Sequence, residues 1–201
     1  MAKLKAPLLS LGASGAIGKS VVFFPWKGLD VAREYVVPAN PKTDAQNTQR
    51  GYVTNAVANI HAAMQTAVSP LDEDDKTAYA LWGSTFPTPR TWFNQIVKML
   101  VDLAVAGKSA VIFTNGTTTP GAAQLGVAVT RKIGSPTAGV FFYGTTKACT
   151  SGYVDGVLAA EEFTATIPNL TAGVKYYWQF RASEPAGCVG GESGVYYGTP
   201  T

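Results

Sequence analysis

The sequence predicts an α+β multidomain chain: an N-terminal β-hairpin arm, a small helical region, and an all-β sandwich at the C-terminal end. Three observations predict it. Residues 21–37 hold two runs rich in β-branched and aromatic residues, split by Trp26-Lys27-Gly28. From about Thr43 to Gly107 apolar residues recur at helical spacing. Beyond that, short apolar runs are broken by Gly, Pro and Thr, which is how strands joined by turns read. The expected parts are an arm and extended linker over 1–50, a helical region over 51–107 with its first helix starting near 43, and a sandwich over 108–201.

The arm contains GASGAIGKS, Gly12 to Ser20, which from Ala13 onward fits a relaxed phosphate-loop pattern. Such a loop must leave a strand and open a helix, whose N-terminus holds the phosphates. Leu8-Leu9-Ser10-Leu11 would serve as the strand, but Ser20 is followed by Val21-Val22-Phe23-Phe24-Pro25, and an interior helical turn does not hold that proline. The partner motif, Met99-Leu100-Val101-Asp102, lies inside the helical pattern Trp92, Ile96, Met99, Leu103. The glycines at 12, 15 and 18 are therefore read as turn positions leading into a hairpin, with Leu29 to Val37 as the partner strand and Trp26-Lys27-Gly28 as the turn.

Pro38-Ala39-Asn40-Pro41-Lys42-Thr43 is an extended stretch, since each proline fixes φ and biases its predecessor away from helix. Thr43 with Gln46 makes a capping box, and Val53, Val57, Ile60 and Met64 are the expected apolar face of the first helix. Asp72-Glu73-Asp74-Asp75 reads as the acidic start of a second helix carrying Ala78, Leu81 and Trp82, rather than as a metal site. Thr88-Pro89 reads as cap and first position of a third helix that ends at Gly107. His61, the single histidine, has no nucleophile or carboxylate partner at a recognisable spacing, so it reads as an ordinary helix residue.

Expected strands in the last third run over Leu125 to Thr130, Val140 to Tyr143, Phe163 to Ile167, Val174 to Arg181 and Val195 to Tyr197. In Phe163 to Ala182, alternate positions Phe163, Ala165 and Ile167 precede Leu170, Gly173 and then Tyr176, Trp178 and Phe180. Leu170, Gly173, Tyr176, Arg181 and Ala182 resemble the corner of the fibronectin type III family, which implies an Ig-like or FnIII-like sandwich with Tyr176 as the corner tyrosine. Tyr177 and Gln179 fall on the opposite strand face, where a ligand is expected if the sandwich aromatics bind one.

An apolar share of 46% excludes a disordered chain, and no run is long enough for a membrane-spanning helix. The first 16 residues imitate a signal peptide, but Pro7, Ser10 and Gly12 break its apolar core. Net charge is +3, with seven basic against three acidic residues in 1–50; no dense basic cluster points to specific nucleic-acid binding. Cys149 and Cys188 are either one disulfide or two free thiols, and with a single distant histidine they make no zinc site. No catalytic, metal or cofactor site is expected.

The arrangement of a Gly-rich hairpin, Arg33-x-Tyr35, and Asn40-Pro41-Lys42-Thr43-x-x-Gln46 followed by Arg50 is similar to a recurring type of phage and prophage structural protein. That resemblance implies a non-enzymatic virion component, made in the host cytoplasm and docking on capsid or tail subunits as a homo-oligomer, with the sandwich on display. Trp26, Arg33, Tyr35 and Arg50 are the candidate anchors, since aromatics and arginine dominate interface energetics. The alternative is a carbohydrate-binding or adhesion module that takes a host-surface glycan on the sandwich aromatics.

Overall fold

The computed structural model describes residues 2–3, 14–37 and 39–201; Gly12, Ala13, the Leu8–Leu11 stretch and Pro38 lie outside the described residues. The chain forms two compact units, Met1–Thr43 and Asp44–Thr201. Its architecture is mixed α and β, with three α-helices and three four-stranded antiparallel sheets among the described residues.

In the first unit, β1 (Ala2–Lys3), β2 (Gly15–Ile17), β3 (Val21–Trp26) and β4 (Leu29–Glu34) form one sheet in the order β1-β4-β3-β2. Gly18-Lys19-Ser20 is the turn between β2 and β3. The register Trp26↔Leu29 leaves Lys27-Gly28 as a two-residue turn. Both turn residues have positive φ, 50° and 76°, as a type I′ hairpin demands.

The second unit begins with α1 (Asp44–Gln65), directly after Thr43. Its buried residues are Ala56, Ile60 and Ala63, so the packed face differs from the expected one: Val53 and Met64 are exposed and only Ile60 is shared. Small alanines let the helix approach closely, and its first three turns are largely exposed. α2 (Glu73–Gly83) is capped by Asp72, whose side chain accepts from the Asp75 amide. α3 (Trp92–Val105) starts later than expected, because Thr91 rather than Thr88 supplies the capping oxygen, to the Asn94 amide. It ends as expected: Gly107 has φ +68° and the Lys108 amide donates to the Leu103 carbonyl, a Schellman closure.

The remaining strands are β5 (Ile112–Gly121), β6 (Gln124–Ile133), β7 (Ala138–Gly144), β8 (Gly152–Asp155), β9 (Val157–Ala159), β10 (Glu162–Ile167), β11 (Tyr176–Glu184) and β12 (Tyr196–Gly198). They form two sheets, β5-β6-β10-β9 and β12-β11-β7-β8. The sheets pack face to face through aromatic rings: Phe113 and Phe163 from one sheet lie 5.0 and 4.5 Å from Phe180 of the other. Helices and sheets share one hydrophobic cluster, in which Ile60, Ile96 and Leu103 join Val111, Phe113 and Trp178.

The Tyr176 hydroxyl bonds back to the main chain, accepting a hydrogen bond from the Thr171 amide at 3.2 Å. Tyr176→Phe removes that acceptor while keeping the ring, and should lower stability slightly. Urea unfolding would show a lower midpoint at unchanged slope; an unchanged midpoint would mean the bond holds nothing.

Candidate functional site

Strand alternation in the first unit separates two faces. Val22, Phe24, Trp26, Leu29, Val31 and Arg33 share one face through the pairs Val22↔Arg33, Phe24↔Val31 and Trp26↔Leu29. Val31 is the only buried apolar residue of this unit among those described. Trp26 is 51% exposed, Leu29 is exposed, and Phe24 is half-buried. The Arg33 guanidinium lies 5.1 Å from the Phe24 ring and the Lys27 ammonium 5.9 Å from the Trp26 ring. The result is a cationic and aromatic face on a hairpin, a composition enriched at interfaces.

Of the predicted anchors, the structure brings Trp26 and Arg33 onto this face. Tyr35 follows β4 and is exposed, its amide held by the Ser20 carbonyl at 2.8 Å. Arg50 belongs to α1, in the other compact unit. Phe24 and Leu29, which are not among the predicted anchors, also lie on this face; the Lys27-Gly28 turn is the signal that finds Phe24, because it sets which residues lie opposite. Gly18-Lys19-Ser20 leads into a strand, so no helix N-terminus stands behind it to hold phosphate.

In the second unit the predicted ligand pair separates. Gln179 is 2% exposed, its amide nitrogen donating to the Ser193 carbonyl at 3.0 Å and its oxygen accepting from Arg181. Tyr177 is half-buried beside the exposed Tyr197, with ring centroids 6.1 Å apart. Lys175 covers this pair, its ammonium 3.5 Å from the Tyr197 centroid and 5.4 Å from that of Tyr177. Trp178 and Tyr196 are buried core residues stacked at 4.7 Å. His61 is exposed on α1.

Cys149 and Cys188 are both buried free thiols. Burial pushes the Cys149 thiol up to about 12, with Arg181 offsetting part of the rise, so it is a poor nucleophile near neutrality.

The acidic run hides one residue the sequence did not single out. Asp72, Glu73 and Asp74 are exposed at the helix start, but Asp75 is 1% exposed. Its carboxylate accepts from the Asn115 amide at 2.9 Å, the Gly116 amide at 3.3 Å and the Tyr196 hydroxyl at 2.7 Å. Burial raises its pKa, against the downward pull of these three donors. Tyr79, fully buried one turn on, donates to the Phe113 carbonyl at 3.0 Å. Together they tie α2 to β5 and β12. No group of three or more metal-ligating side chains occurs among the described residues, and no described helix is long and apolar enough to cross a membrane.

No protein-family model matches this chain, and comparison with curated proteins finds no match.

Proposed function

We propose that the chain is a non-enzymatic structural protein of a phage particle, a capsid-decoration or tail-associated subunit. It docks through its N-terminal unit and displays an Ig-like or FnIII-like domain. The observation that carries the docking half is the Val22–Phe24–Trp26–Leu29–Arg33 face. It is built on a single sheet whose only buried apolar residue among those described is Val31. Water-exposed aromatic and aliphatic side chains gathered on one face are stabilised when a second surface covers them.

The order β5-β6-β10-β9 against β12-β11-β7-β8 supports the Ig-like reading, since it corresponds to strands A-B-E-D and G-F-C of such sandwiches with one added strand beside C. The Tyr176–Thr171 corner supports it further. The likeness of the Asn40-Pro41-Lys42-Thr43-x-x-Gln46 element to phage structural proteins supplies the virion context.

The test is fractionation of particles from a producing culture, with mass spectrometry of capsid and tail fractions. The chain is expected in many copies in one of them. A Trp26→Ser/Arg33→Ser variant should be incorporated at least tenfold less while its thermal transition stays in place, because both side chains lie on the surface. Absence of the unaltered chain from particles would sink the proposal, and undiminished incorporation of the variant would remove this face as the docking site.

A further inference from the structure

We propose that the second compact unit carries a binding groove for an acidic saccharide, between the connection joining α2 to α3 and the segment 189–192. Two cavities of about 280 and 340 Å³ share Trp82, Phe86 and Glu192 in their linings. Together they reach the size range of ordinary small-ligand sites, about 300–1,000 Å³, and suit a short oligosaccharide.

Three features select the ligand. The first is an aromatic platform: Trp82 and Phe86 are half-buried, with centroids 6.4 Å apart and rings inclined at 52°. Aromatic rings of this kind receive the C–H face of a sugar, burying apolar area without asking for hydrogen bonds.

The second is a set of polar groups already held in place. Arg181 donates to the Gln179 oxygen at 3.1 Å, stacks on Phe142 at 4.6 Å and lies 3.6 Å from the Glu192 carboxylate. On the other side of the aromatic pair, Arg90 stacks on Phe86 at 4.4 Å and donates to Gln95 at 3.1 Å. Planar donors and acceptors locked by their neighbours lose little entropy on meeting a ligand, and they match hydroxyl pairs and carboxylates. A purely apolar ligand would strip water from these groups and return no hydrogen bonds.

The third is charge. The two cavities are lined by five cationic side chains, Arg90, Lys98, Lys108, Lys147 and Arg181, against Asp102 and Glu192. Both acids already have partners: Asp102 is ion-paired with Lys98, and Glu192 faces Arg181. The surplus is positive, so a sugar bearing carboxylate is favoured over its neutral counterpart.

The experiment uses the full chain, titrated by calorimetry and by NMR with trigalacturonate and 3′-sialyllactose. Lactose and maltotriose serve as neutral controls, and tripolyphosphate as an anion that lacks a sugar ring. At least one acidic saccharide is expected to bind tenfold or more tightly than both neutral ones, shifting the indole N–H resonance of Trp82. Arg90→Gln and Trp82→Phe should each weaken that binding at least tenfold, while Tyr177→Ser/Tyr197→Ser leaves it unchanged. No binding by either acidic saccharide would overturn the proposal, as would equal binding of the neutral sugars, an equal shift with tripolyphosphate, or loss through the Tyr177 and Tyr197 changes. The indole shift is read on the unaltered chain, so it decides the matter even where a variant fails to fold. The outcome is independent of whether the protein resides in particles.

Discussion

Asp75→Ala is expected to lower stability by about 3 kcal/mol, because it leaves three converging donors without their acceptor. The Asn115 amide, Gly116 amide and Tyr196 hydroxyl all end on this one buried carboxylate, from β5 and β12, while Asp75 itself sits in the first turn of α2. No crowding relieves the loss, since alanine fills none of the space. Asp75→Asn is the informative companion. Its carbonyl oxygen can keep the Asn115 amide, and its NH₂ group can donate to the Tyr196 oxygen if that hydroxyl turns, so only the longer Gly116 bond goes unmatched. The loss should then be about 1 kcal/mol. Denaturant unfolding of the three proteins checks both numbers. If Asp75→Ala costs under 1 kcal/mol, the network is not what holds α2 to the sheets; if Asn is as damaging as Ala, the charge itself is required.

Phe180→Ala should cost about 4 kcal/mol, in the range of large-to-small changes at sites that collapse poorly. Phe180 is fully buried and its ring centroid lies 4.5 to 5.0 Å from those of Phe163, Phe141 and Phe113. It also rests on Gly139, where an added Cβ would come within 2.1 Å of its ring. Those neighbours belong to both sheets and are themselves held by strand pairing, so they cannot move in to fill the hole. Phe180→Leu keeps part of the volume and should lose roughly half as much. A loss below 2 kcal/mol for the alanine variant, measured by the same unfolding, would show that the two sheets close over the gap.

Local rules written in the sequence set several features by themselves. The Trp26-Lys27-Gly28 junction marks a hairpin because Gly28 takes left-handed backbone at no steric cost; Trp26 itself belongs to β3, so the turn is Lys27-Gly28 alone. The Gly18-Lys19-Ser20 match is refused as a phosphate loop by the strand that follows it, and it is a turn in the structure. The acidic start of α2, Gly107 as a helix end, and the alternation that buries Phe163, Ile167, Trp178 and Phe180 are equally legible, since each depends on a few neighbours along the chain.

Tertiary structure decided the rest, in each case because a distant partner outweighs local pattern. β5 (Ile112–Gly121) is absent from the expected strands, which begin at Leu125, and it forms because β6 pairs along it past two irregularities. Gln179 occupies a strand face that alternation assigns to solvent, yet the segment through Ser193 covers it. α1 turns Ala56 and Ala63 inward instead of Val53 and Met64, a face that the spacing of its larger apolar residues does not mark. Asp75 looks like its acidic neighbours until residues 40 and 121 positions away bring their donors to it. The Trp26–Arg33 face lies between these extremes: its strands and turn are local, and the length of that turn sets the register that puts its side chains together.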